Sequence, residues 1–128
     1  MRALILIAPV MLVAGCNTAV SPDAASSAAF ARELTGKVAG PPQACVTTFP
    51  SQNLRVIDAR TIAYGYGRTI YVNRLAGPCP ALSGYNTVIT ELHGSQYCRG
   101  DHVRGLEPGA IIPGPWCNLG DWTPYRQP

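Results

Sequence analysis

The sequence predicts an all-β fold, a small antiparallel β-barrel or sandwich with two disulfides, preceded by a signal peptide and a flexible, partly helical tether. Three observations carry this. Glycine and proline, 13 and 12 in 128 residues, punctuate the segment after residue 40 at the short intervals of small sandwiches and barrels. Every aromatic residue except Phe30 lies between residues 45 and 125. Cys45, Cys79, Cys98 and Cys117 fall in the same span, where a small core needs crosslinks.

Along the chain, Arg2 precedes an apolar run over residues 3–13 that only Pro9 interrupts. A bilayer span needs ~20 apolar residues, so this run suits a signal peptide instead. Val13-Ala14-Gly15-Cys16 resembles the bacterial lipobox, in which the Cys thiol takes a diacylglyceryl group, cleavage occurs before it and the new amine is acylated. The resemblance implies a signal peptide over residues 1–15, lipid attachment at Cys16 and a membrane partner through that anchor. Asn17, in place of an Asp, points to the outer membrane, facing the periplasm.

Residues 16–42 are expected to form the lipidated tether. The Ala/Ser/Thr-rich stretch after Cys16 has little apolar area to bury. Ser21-Pro22 can open a helix, with Ser21 as N-cap, and Gly36 can close it. Phe30 and Leu34 share one face, but a helix this short is marginal alone in water. A flexible stalk that lifts the domain tens of ångströms from the membrane is therefore expected, ending at Gly40-Pro41-Pro42.

Residues 43–128 form the predicted β domain. Residues 54–58 alternate as a strand and turn at Ala59-Arg60. Residues 61–66 place Ile62, Tyr64 and Tyr66 on one face. Gly67-Arg68 is a hairpin turn leading to a returning strand at 69–75. Residues 86–92 place Val88, Thr90 and Leu92 together, and a short strand follows at 96–98. Residues 99–115 read as mostly loop, with Val103 as the one candidate for pairing, and 115–122 as the last strand.

The formal charge of +3 is small and its basic residues are scattered, which gives no nucleic-acid footprint. With Cys16 assigned to lipid, four cysteines remain and read as two disulfides, since none shows the C-x₂-C spacing of a zinc site. Three pairings exist, and the favoured one is Cys79–Cys98 with Cys45–Cys117. The first would clamp the 86–92 hairpin, and the second would tie the domain's entry to its end.

No residue pattern identifies a catalytic, metal or cofactor site. Glu91, His93, Asp101 and His102 lack the spacing of a zinc hydrolase and read as solvated turn residues. Cys98-Arg99-Gly100-Asp101-His102 contains Arg-Gly-Asp, which reads as a turn. Tyr64, Tyr66, Tyr71, Trp116 and Trp122 read as core filling before a ligand-binding surface.

Leu34-Thr35-Gly36, Ala39-Gly40-Pro41-Pro42, Cys45-Val46, Asp58-Ala59-Arg60-Thr61-Ile62, Tyr71-Val72-Asn73, Cys98 to His102 and Cys117 to Arg126 resemble an uncharacterised family of small four-cysteine Gram-negative lipoproteins. That resemblance covers residues 34–126. It implies an envelope location and a small β fold, and it supplies no catalytic residue. The function expected is that of a non-enzymatic binding or accessory module tethered to the membrane, with an envelope protein or a glycan as its partner. The alternative is a small periplasmic enzyme or inhibitor with a charged site around Arg60, Asp101 and Asp121.

Overall fold

The computed structural model describes residues 21–128, so the expected signal peptide and the lipid attachment at Cys16 lie outside the described residues. The helix α1 (Pro22–Glu33) is followed by ten strands. These are β1 (Val38–Ala39), β2 (Cys45–Thr47), β3 (Leu54–Asp58), β4 (Thr61–Tyr64), β5 (Thr69–Arg74), β6 (Thr87–Glu91), β7 (Gln96–Cys98), β8 (His102–Leu106), β9 (Cys117–Asn118) and β10 (Trp122–Arg126). All pairings are antiparallel. The main sheet runs β1-β10-β5-β4-β3, with smaller sheets β2-β7 and β6-β8-β9. The fold is all-β and sandwich-like, stapled by two disulfides, and it does not close into a barrel.

The side-chain period of two gives the main sheet two buried faces. One carries Val56, Ile62, Tyr64 and Trp122 against Val46, Leu82, Val103 and Leu119, with Tyr97 and Val88 at its margin. The other carries Ile57, Ala63, Ile70 and Val72 beneath Phe30 and Leu34 of α1. Strand β4 is therefore buried along its whole length. The layers run helix, five-stranded sheet, small sheets.

Residues 21–42 are not a free stalk, which corrects the expected tether. Ser21 caps α1 by accepting from the Ala24 N–H, and Leu34 closes it. Phe30 is 7% exposed, and burying one such side chain contributes ~1.5–3 kcal/mol. The helix is marginal alone, but the apolar back of the main sheet supplies the surface it lacks. Past Gly36, β1 pairs with β10, Gly40 donates to Pro124 O, and Gln43 bridges Trp122. The packed unit includes residues 21–42 as well as the span expected from residue 43. Only residues 17–20 lie between Cys16 and Ser21, too few for a lift of tens of ångströms.

The disulfides are Cys45–Cys98 and Cys79–Cys117, which overturns the favoured pairing. Cys45 and Cys98 face each other across the β2–β7 ladder, so their bond follows from strand register. Cys79–Cys117 ties the loop after β5 to β9. Each closes a loop long enough to contribute about 4 kcal/mol in chain-entropy terms.

Several strand boundaries differ, and β1 and β2 were not expected. Gly65, at φ +86°, ends β4 at Tyr64 and turns Tyr66 out to solvent. Residues 102–106 form a full strand between β6 and β9 rather than a loop. The expected last strand at 115–122 is divided into β9 and β10.

Candidate functional site

A concavity follows the outer edge of β3. Its first part, about 420 Å³, lies between α1 and β3 and is lined by Phe30, Glu33, Arg55, Ile57, Gly84 and Asn86 among others. Its second part, about 320 Å³, lies between β3 and β6 and is lined by Asn53, Thr87, Val88, Thr90 and Tyr97. Leu54 and Asn86 line both, so the two form one groove.

Topology creates this groove. Strand β3 is the last strand of the five-stranded sheet, and β6 is an outer strand of the three-stranded one. The two face each other without pairing. An edge strand presents unpaired N–H and C=O groups, which can form a ladder with an incoming extended segment.

Three of the lining side chains, Asn86, Arg55 and Tyr97, are held by their neighbours. Asn86 donates to Ala81 O at 2.6 Å and accepts from the Ser83 hydroxyl at 2.8 Å, which fixes the rim. Arg55 donates to both Glu33 carboxylate oxygens and to Gly65 O, and its guanidinium lies 4.1 Å from the Tyr66 ring centroid. Its charge is thus engaged in docking the helix. Tyr97 stacks edge-on against Tyr64 at 5.2 Å between centroids. Burial, and to a lesser extent Tyr64, pushes the Tyr97 hydroxyl above the ordinary tyrosine value. The groove offers amides, hydroxyls and apolar surface, which suits binding by hydrogen bonds and packing.

The charged residues of the alternative reading each engage other partners. Arg60 sits at the β3–β4 turn, where its backbone N–H donates to Asp58 Oδ1. Asp121 pairs with Arg99 at 2.9 Å on the surface. Asp101 accepts from the Cys98 N–H at 2.7 Å and meets His93 Nδ1 at 3.2 Å. Among the described residues, no hydrogen bond or ion pair joins Arg60 to Asp101 or Asp121.

Asp101 is also not the solvated turn residue expected. It is 6% exposed, because its carboxylate closes the turn between β7 and β8 from inside. The Arg-Gly-Asp tripeptide is a turn, with Gly100 at φ +91° and its acid directed inward. Glu91 and His102 are register partners across β6 and β8, with Oε2 and Nδ1 3.4 Å apart. Among the described residues, no three His, Cys, Asp or Glu side chains gather into a metal-holding group.

The aromatic set divides. Tyr64 and Trp122 are core, and Tyr71 packs at its margin, as core filling requires. Tyr66 and Trp116 are exposed beneath Arg55 and Arg104 respectively. Sequence reasoning missed the groove residues Asn53, Asn86, Thr87 and Tyr97, because no local pattern brings β3 beside β6. No protein-family model, curated protein or solved structure matches the chain.

Proposed function

We propose that this protein is a bacterial envelope lipoprotein, acylated at Cys16, whose folded unit acts as a binding module rather than an enzyme. The groove along β3 receives an extended segment of another envelope protein. The observation that carries this reading is the pair of unpaired sheet edges, β3 and β6, that flank one groove of mixed polar and apolar lining. Main-chain ladder bonds would supply affinity, and Asn53, Thr87, Thr90 and Tyr97 would select side chains. The lipobox-like Val13-Ala14-Gly15-Cys16 and the likeness of residues 34–126 to small Gram-negative lipoproteins support the envelope location, with the outer membrane preferred from Asn17.

The test is site-specific photocrosslinking in living cells, with a photoreactive residue at Asn53, at Thr87 or at exposed Gln127, which does not line the groove. Positions 53 and 87 are expected to capture the same segment of one partner, and position 127 to capture none of it. Adducts that are absent from the groove positions, or equally strong from position 127, would overturn the groove as the binding site.

A further inference from the structure

The loop between β8 and β9 carries at its middle two adjacent isoleucines, Ile111 and Ile112, which are 93% and 79% exposed. Adjacent large aliphatic side chains held this far into water call for a partner surface. The loop carries one charge, Glu107, and from residue 108 to 116 none. Trp116, also partly exposed, stands at its base with the Arg104 guanidinium 4.1 Å from its ring centroid.

The base of this loop is fixed. Gly114 donates to Gly105 O at 2.9 Å, and the Cys79–Cys117 bond holds the strand that follows. Gly105 and Gly114 both press on Ala81, where a Cβ on either would overlap it. Three residues further on, Gly84 donates to Asp23 Oδ1 at 3.3 Å and packs against Ser26, in the first turns of α1. The start of the helix and the root of the isoleucine loop thus rest on one short segment, residues 81–84.

Chain length then places that end of the molecule. From Cys16 to Ser21 the chain reaches at most roughly 18 Å, even fully extended. A lipid on Cys16 would keep the start of α1, and the platform it shares with the loop, close to the bilayer.

We infer that the Ile111–Ile112 loop is a second membrane contact, which inserts its isoleucines at the acyl boundary of the bilayer that holds the anchor. This rests on the proposed acylation of Cys16. Trp116 and Arg104 supply an aromatic ring and a cation at headgroup level, a combination suited to the membrane interface. Two points of attachment fix the orientation of the domain, which a lipid on a short leader alone does not.

Trp116 reports on the contact, because the second tryptophan, Trp122, is fully buried. The mature protein, purified from cells, is reconstituted into phosphatidylethanolamine–phosphatidylglycerol vesicles with plain or brominated acyl chains. The mass of its Cys16 peptide is measured on the same preparation. Brominated lipid is expected to quench tryptophan emission in the wild type and not in Trp116→Phe. Ile111→Asn with Ile112→Asn is expected to reduce the quenching by about three-fold or more while the acylated mass is retained. Emission indifferent to bromine in protein with an acylated Cys16 overturns the loop contact and leaves the anchor standing. The same result with crosslinks between copies through residue 112 overturns it in favour of self-association. A Cys16 without acyl chains overturns the anchor, and this contact with it.

Discussion

Arg55 holds both carboxylate oxygens of Glu33, Nη1 to Oε2 at 2.8 Å and Nη2 to Oε1 at 3.0 Å, and so clamps α1 to β3. The side chains are 23% and 28% exposed, so the pair is partly shielded from solvent. Replacing Arg55 by Met keeps the aliphatic stem and removes the fork. Such charge-assisted bonds contribute about 1–3 kcal/mol, and R55M is expected to lower unfolding stability by that amount. Limited proteolysis should then cut first within α1, whereas the wild type should resist cleavage from Ser21 onward. A wild type cut in α1 before any strand would mean that the helix is not docked.

Asn73 is fully buried and spans Gly120, donating to its carbonyl at 2.8 Å and accepting from its N–H at 2.9 Å. Asn73→Ala leaves both backbone groups without these partners, a loss of roughly 2–6 kcal/mol at about 1–3 kcal/mol per group. Denaturant unfolding should show it as a lower midpoint at unchanged slope. A loss under 1 kcal/mol would mean that water replaces the amide.

The helix start was legible, because Ser21 and Pro22 act through local chemistry that any sequence window contains, whereas its end falls at Leu34 and not at the expected Gly36. Strand β3 was legible from its alternation, and β7 from its flanking turns. Strand β8 was not: Val103 is the one large side chain on its buried face, beside Gly105, and its pairing is supplied by β6 and β9 from elsewhere in the chain. Gly105 is needed because the Ala81 carbonyl occupies the space of its side chain, a contact between distant segments. Strand β10 was obscured by Pro124, since proline is unusual in a paired strand. Pro124 O accepts from Gly40, so its missing donor faces the same side, beyond the end of β1. The groove had no signature either, because it consists of two edges that meet only when the sandwich assembles.

The cysteine pairing is directly measurable. Peptide mapping of the oxidised protein should recover Cys45 joined to Cys98 and Cys79 joined to Cys117. Removing both members of either pair, as C45A/C98A or C79A/C117A, should cost about 4 kcal/mol. Recovery of a Cys79–Cys98 peptide would contradict the β2–β7 register.

Alkaline pH should destabilise the fold through Tyr97, whose pKa is raised by burial and then by Tyr64. A raised pKa means that the folded state holds the proton more tightly. The contribution is complete below the unfolded value of ~10 and is lost as pH rises through the higher folded value. Thermal unfolding midpoints should therefore fall above that pH in the wild type, and fall less in Tyr97→Phe. Identical alkaline profiles for the two proteins would assign the effect elsewhere.

The mass of the mature N-terminal peptide tests the functional account most directly, since anchoring, location and the membrane-facing loop all depend on Cys16. The account predicts a chain that begins at Cys16 and carries a diacylglyceryl thioether and an acylated amine. A chain that retains Met1, or a mature Cys16 with no added mass, would contradict it.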